Sequence, residues 1–215
     1  MSQQSPTAAG GEGRERRAAT GRLQGLSLIA AVALPIVAAY VVYHTGLGMP
    51  DGTINQGELL QPPVDIEGLA LRSASEESAS QAVSFESAPH KWRYLILPDG
   101  ACESACDNLL YTSRQVHIRL AEKADRVERL LVTPEPLPAE RRAAIAAEHP
   151  RLRFVTADAS ALQTLRRESG LVMAEGPQAV LVDQKGFAMM RYGNEHTGNQ
   201  LLKDIKRLLK YSYEQ

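Results

Sequence analysis

The amino-acid sequence predicts an α/β fold, a mixed sheet flanked by helices, preceded by one N-terminal transmembrane helix. Short apolar runs alternate with amphipathic helical segments through the C-terminal part of the chain, which is the pattern of βαβ units. The last two runs flank the turn sequence DQKG (183–186), which predicts a hairpin and therefore an antiparallel edge. Close to the N-terminus, residues 26–43 form an uncharged apolar run of 18 residues.

The run 26–43 is long enough to cross a bilayer core of about 30 Å as a helix, and membrane helices tolerate a proline such as Pro35. A cleaved signal peptide is the alternative, but its apolar region is normally shorter and ends in a small-residue motif. A buried core helix would need a polar face. Positive charge precedes the run, so the N-terminus is predicted inside and the remainder outside. The basic residues are Arg14, Arg16, Arg17 and Arg22, and residues 44–50 contain no Lys or Arg.

We expect four parts in the chain: a disordered cytoplasmic tail over 1–22, a signal anchor over 23–45, a periplasmic tether over 46–65 and one folded domain over 66–215. The tail is rich in Ser, Gln, Gly and Arg, and the tether in Gly, Asn and Pro. The formal net charge is −1, and no basic stripe with interleaved aromatic residues is present. Nucleic acid is therefore not an expected partner.

Strands are predicted where apolar, β-branched or aromatic residues run together and turn residues follow. The clearest is WRYLIL, which ends at Pro98-Asp99-Gly100. A polar, Ser-rich surface loop is expected over 72–80. The predicted strands, in chain order, are 66–71, 92–97, 127–132, 152–156, 178–182 and 187–192.

Helices are predicted between these strands from apolar residues at helical spacing. The first follows the chain's two cysteines and extends towards Arg126. The second begins at Pro138, which suits a helix N-terminus, and ends near Glu148. A short amphipathic helix covers 159–168, and a final one covers 197–211, with Thr197 as its cap.

The only two cysteines, Cys102 and Cys106, lie between the first strong strand and the first helix of the folded domain. A bridge across so short a loop removes little unfolded-state entropy, so the pair is a poor structural staple. At a helix N-terminus, Cys102 is expected to be the exposed nucleophile with a lowered pKa, and Cys106 the resolving thiol one turn later. Glu103 and Asp107 oppose this shift. An inert disulfide and two buried free thiols remain alternatives.

This order of elements, with a cysteine pair between strand and helix, resembles the thioredoxin fold over roughly 66–213. The resemblance implies a thioredoxin-like mixed sheet. It also makes Pro177, directly before the predicted strand QAVLV, the candidate for the cis-proline that faces the thiols.

The C-x3-C spacing behind an outward-facing membrane anchor resembles the Sco family, the copper-delivery and thiol-reductase proteins of cytochrome c oxidase assembly. The tether phrase NQGELLQPP (55–63) also looks like small Sco-related assembly proteins. Two departures are clear. Glu103 and Asp107 stand where the Sco motif carries prolines, and EGPQ (175–178) stands where Sco proteins carry a copper-binding histidine.

Copper binding would use the two sulfurs, because thiolates suit Cu(I) and imidazole is a suitable third ligand. His196 precedes the last helix and is the third metal-ligand candidate, with a solvated loop residue as its plainer interpretation. His117 lies roughly 16 Å along the helix from Cys106, which excludes it as a ligand; we expect it to be partly exposed. His149 is expected to complement a helix dipole.

The resemblance implies a single-pass inner-membrane protein with a periplasmic domain, acting in cytochrome c oxidase assembly by thiol–disulfide exchange. Its partners would be oxidase subunits or their copper chaperones. A Cu(I) metallochaperone and a redox-inert thioredoxin-like interaction module are the alternatives.

Overall fold

The computed structural model describes residues 12–46, 54–74, 81–85, 90–100, 102–171 and 176–212. The chain divides into two compact units, one up to Thr53 and the other from Ile54 onward.

The first unit contains one long helix, α1 (Glu12–Thr45). Its part Gln24–Thr45 is long and apolar enough to cross a membrane, with a mean hydropathy of 2.3, and its large apolar side chains are exposed. These features are consistent with a single-pass anchor. Residues 12–22 of the predicted tail belong to α1, and they are rich in the helix formers Ala, Arg and Glu. Residues 1–11 lie outside the described part.

In its described residues, the second unit is built on one mixed sheet of seven strands, in the order β1-β7-β6-β3-β4-β5-β2. Strands β3, β4 and β5 are parallel, and the remaining pairings are antiparallel. This confirms the predicted fold class. The strands are β1 (Glu58–Asp65), β2 (Arg72–Ser73), β3 (Trp92–Leu97), β4 (Val127–Thr133), β5 (Leu152–Thr156), β6 (Gln178–Val182) and β7 (Phe187–Tyr192).

Helices cover both faces of this sheet. Apolar residues of α2, α3 and α5 share one core cluster with both cysteines, while α4 packs in a second cluster with the 3₁₀ turn Glu67–Leu69. The connections from β3 to β4 and from β4 to β5 place α2 and α3 on one face, and the connection from β5 to β6 places α4 on the other. The helices are α2 (Ser104–Arg119), α3 (Ala139–Glu148), α4 (Ala159–Glu168) and α5 (Gly198–Tyr211), with a 3₁₀ segment at Ala121–Arg126.

The predicted tether over 46–65 is wrong in its second half. Residues Glu58–Asp65 form the edge strand β1, with Glu58 opposite Arg191 and Val64 opposite Ala188 of β7. The register shifts between Leu59 and Val64, across the two prolines. Proline cannot donate to a ladder but is tolerated on an edge strand, so a proline-containing segment is not necessarily a linker.

The strand predicted over 66–71 is also wrong, because the 3₁₀ turn occupies this stretch. The short strand β2 follows it, at the start of the predicted Ser-rich loop, and pairs with β5. Ala70 has a positive φ of 43°, which turns the chain out of an extended path.

Candidate redox site

The cysteine loop leaves the sheet at the end of β3 and enters α2. Cys102 has a φ of 59°, a left-handed conformation that a residue with a side chain rarely adopts. Glu103 is the N-cap residue, and α2 begins at Ser104. Cys106 therefore lies in the first helical turn, where unpaired backbone N–H groups favour a thiolate, whereas Cys102 precedes the helix. Sequence reasoning had placed the helix start near Cys102.

The two cysteines form a disulfide, with a Cα–Cα distance of 4.9 Å. Cys102 is 1% exposed and Cys106 is fully buried, and both belong to the core cluster beneath α2. The structure thus brings the predicted pair together. In this oxidised form Cys102 is not the exposed residue we expected, because its sulfur is bonded to Cys106 within the core cluster.

Arg141 of α3 connects the cysteine loop to the neighbouring helix. Its Nε donates a 3.0 Å hydrogen bond to the Cys102 carbonyl oxygen, and its Nη2 donates to both that oxygen and the Asp107 carboxylate. Asp107, which we expected to oppose a thiolate, is therefore paired with a cation. No sequence signal identified Arg141, because 39 residues separate it from Cys102.

Pro177 lies beside the cysteine loop but is not the predicted cis-proline. It is buried and precedes Gln178, which pairs with Leu97 at the end of β3. Within the described ranges the cis peptide is Gln61–Pro62, not Gly176–Pro177. The Gly176–Pro177 bond is trans, which is the preferred state of X-Pro bonds, and Gly176 turns the chain with a φ of 87°.

His196 occupies the turn between β7 and α5. The Gly193 N–H donates to its Nδ1 at 3.1 Å, and Nδ1 lies 2.7 Å from the Glu195 carboxylate. Its ring packs edge-on against Tyr192, with the ring centroids 5.4 Å apart. Among the described residues, His196 therefore contacts its own turn and β7, and it contacts neither cysteine.

The donor set does not fit a three-ligand copper centre. Among the described residues, no group of three or more His, Cys, Asp or Glu side chains is placed to hold a metal ion. This part of the chain would offer Cu(I) the two sulfurs alone, and only after the disulfide is reduced.

Two histidines lie in the core, contrary to our expectation. His117 forms a 3.0 Å hydrogen bond between its Nε2 and the Val127 carbonyl, and burial lowers its pKa. His149 is 3% exposed, and burial likewise lowers its pKa. Burial thus disfavours the charged form that a complement to the helix dipole would need. Sequence spacing had not shown that the ends of α2 and α3 pack onto β4 and the start of β5.

Two solved structures share the architecture of this chain. Yeast Sco1 with copper bound is 14% identical, with a TM-score of 0.52, covering 75% of this chain and 97% of that one. BsSco, described as a member of the Sco family of cytochrome c oxidase assembly proteins, is 15% identical, with a TM-score of 0.51, covering 74% and 98%. At these identities the likeness shows the fold, which is the thioredoxin fold of Sco proteins.

No curated protein sequence matches the chain. A family model does match, over residues 92–212, which is more than half of the chain and includes the cysteine loop, β3 to β7 and all the helices of the second unit. The protein therefore belongs to the family described as the transmembrane-like, thioredoxin-like, C-terminal domain.

Proposed function

We propose that this protein performs thiol–disulfide exchange through Cys102 and Cys106, anchored in the inner membrane with its folded domain in the periplasm. The observation that carries the proposal is the disulfide between β3 and α2 of a thioredoxin fold. We further propose that its targets are cysteines of cytochrome c oxidase subunits or of their copper chaperones. This second step is supported by the fold shared with Sco proteins, two of which are yeast Sco1 and BsSco.

The exchange transfers two electrons and two protons. The Cys102 thiolate of the reduced pair attacks a target disulfide, forming a mixed disulfide and releasing one target thiolate, which takes up a proton. Cys106 then attacks the Cys102 sulfur, the second target thiolate leaves and is protonated, and the Cys102–Cys106 disulfide remains. A protein dithiol on the same side of the membrane reduces this disulfide again and is itself oxidised.

The surroundings of the pair suit this chemistry. Cys106 lies in the first turn of α2, at the positive end of the helix dipole, and the Arg141 guanidinium binds the backbone carbonyl of Cys102. Positive charge favours the thiolate, which is the reactive form. Because both sulfurs are buried in the oxidised form, exchange requires a local opening of the cysteine loop.

The membrane position is supported by α1 and by the charges that flank it. The apolar part of α1 is preceded by four arginines, and residues 44–50 carry no Lys or Arg. The positive-inside rule then orients the folded domain towards the periplasm.

A redox titration tests the exchange activity. The full chain in detergent is equilibrated in thiol–disulfide buffers of increasing potential and then alkylated, and the mass added per chain is measured. We expect one reversible two-electron transition in the wild type. The Cys102→Ser variant should lack it, and the Ser104→Ala variant, altered between the two cysteines at the first residue of α2, should retain it. The proposal would be overturned if the Cys102–Cys106 disulfide stayed oxidised in every buffer that is reducing enough to convert glutathione disulfide to glutathione.

The oxidase assignment needs a separate test in cells. Strains carrying Cys102→Ser or Cys106→Ser should assemble less active cytochrome c oxidase than strains carrying Ser104→Ala. If the cysteine variants kept full oxidase activity while the wild type showed a reversible couple in the titration, the proposed exchange activity would stand. The proposal that cytochrome c oxidase is its target would be rejected. Tight one-to-one binding of Cu(I) by the reduced chain under anaerobic conditions would instead favour a metallochaperone.

A further inference from the structure

A buried arginine without a partner lies on the sheet between α2 and α3. Arg129 of β4 is 2% exposed, and its Nε and Nη1 make no hydrogen bond with the described residues. It shares its face of β4 with Val127 and Leu131, which pack in the same core cluster as α2 and α3. A guanidinium removed from water without a compensating acceptor is strongly unfavourable, and such groups call for an explanation.

The same sheet shows how a buried arginine is ordinarily satisfied. Arg93 of β3 is 4% exposed, and its Nε donates to Glu128 at 3.1 Å. Its other nitrogens donate to the carbonyl oxygens of Lys91 and Ser84. The unpaired state of Arg129 is therefore a property of its location and not of arginines on this sheet in general.

A second unpartnered group lies beside Arg129. Leu152 of β5 pairs with Arg129 in register, and its N–H donates to the His149 carbonyl at 2.9 Å. His149 is 3% exposed, and its Nδ1 has no hydrogen-bond partner. In the described part of the chain, every buried side-chain nitrogen that lacks a partner belongs to one of these two residues.

The charge around this pair is positive. The Arg129 and Arg114 guanidinium groups act together with burial to lower the pKa of His149, and Glu148 and Asp107 oppose them. Asp107 is already paired with Arg141. The remaining nearby cation, Arg151, is paired only with Asp125 at the surface, where both side chains are mostly exposed. No carboxylate among the described residues forms an ion pair with Arg129.

We propose that Arg129 and His149 form a binding site for one small oxyanion, of the phosphate or carboxylate type. Guanidinium groups bind such planar or tetrahedral oxyanions with several N–H donors at once. Because both side chains are almost completely buried, a ligand of this site would be limited to the oxyanion group itself. Arg114 of α2 adds a further positive charge that acts on both residues. This inference is independent of the thiol chemistry.

Thermal unfolding of the full chain in detergent tests the site, with inorganic phosphate, acetate and chloride compared at equal ionic strength. Ten times the dissociation constant of a bound anion should raise the unfolding midpoint by about 3–6 °C. Phosphate also stabilises proteins without binding a site, so the decisive comparison is with the Arg129→Met variant, which keeps the volume and removes the donors. We expect the anion-specific rise in the wild type and in the control Arg119→Gln, and its loss in Arg129→Met.

Comparing phosphate with acetate distinguishes a phosphate-type ligand from a carboxylate-type ligand. A rise with phosphate only indicates a tetrahedral oxyanion, and a rise with acetate only indicates a carboxylate; either result supports the site. If Arg129→Met does not fold, His149→Asn and calorimetric titration of the wild type with each anion replace it, and His149→Asn should bind more weakly. Responses to phosphate and acetate that do not exceed the chloride response, or that are equal in wild type and Arg129→Met, would overturn the proposal.

Discussion

Arg141 Nε donates a 3.0 Å hydrogen bond to the carbonyl oxygen of Cys102, so helix α3 holds the backbone of the cysteine loop. The same guanidinium is paired with Asp107 in the first turn of α2. The Arg141 guanidinium thus connects α3 both to Cys102, which precedes α2, and to the first turn of α2. It is only partly buried, at 31% exposure, and remains accessible to a partner that approaches the loop.

The first prediction concerns the acidity of the thiols. Replacing Arg141 by Ala removes a positive charge next to the pair, so the reduced cysteines should become less acidic, whereas Asp107→Asn removes a negative charge and should act in the opposite direction. The pH profile of alkylation of the reduced chain should shift upward by about one pH unit in Arg141→Ala. The control is Arg142→Ala, because Arg142 lies over the Phe154 ring. Equal profiles for all four proteins would show that Arg141 only holds the backbone.

The second prediction separates a redox disulfide from a structural one. The bridge spans a sequence separation of 4 residues, so the chain-entropy model gives it about 2 kcal/mol at most. Adding reductant to the wild type should therefore lower the unfolding midpoint by only a few degrees and leave the fold intact. Calorimetry and circular dichroism measure this, and Cys102→Ser, which lacks the bridge, should not respond. Unfolding on reduction would identify the bridge as a structural brace and contradict the proposed function.

The elements from β3 to α5 were predictable because their periodicity and turn residues are local. The edge strand β1 was missed because Pro62-Pro63 reads as an extended linker, and only its pairing with β7, far away in sequence, makes it a strand. Arg141 was missed for the same reason. The cysteine pair was predictable from its spacing, but neither its burial in the core cluster nor the positive φ of Cys102 follows from a local pattern.

The third prediction concerns the segment that leads into β1. Asp204 of α5 is 2% exposed and accepts hydrogen bonds from the Gln56 and Gly57 N–H groups and from the Tyr192 hydroxyl. Burial raises the pKa of Tyr192, so this hydroxyl remains a donor. Asp204→Ala leaves the buried Gly57 and Tyr192 donors and the partly buried Gln56 N–H without an acceptor, and it should cost about 3–5 kcal/mol of unfolding free energy in denaturant titrations.

A matched control for Asp204 is Asp125, whose carboxylate pairs with Arg151 but whose side chain is 87% exposed. Asp125→Ala should change the free energy of unfolding by less than about 1 kcal/mol, as exposed ion pairs contribute little. Limited proteolysis adds a local readout, because loss of the Asp204 contacts should expose the chain near Gln56. Equal effects of the two substitutions would mean that Asp204 does not hold this segment.

The fourth prediction concerns the pH dependence of stability. Burial, together with the charges of Arg129 and Arg151, lowers the pKa of His117 in the folded state, and the hydrogen bond to Val127 only partly opposes this. The unfolded chain, with an ordinary histidine pKa of about 6.5, then binds protons more readily than the folded one. Stability should consequently be retained above pH 6.5 and decrease as the pH falls below that value. Thermal unfolding of the full chain in detergent at pH 7.5 and pH 5.5 measures the loss, and His117→Gln should lose less than the wild type between these two values. An identical loss in both proteins would show that other groups, and not His117, cause the acid sensitivity.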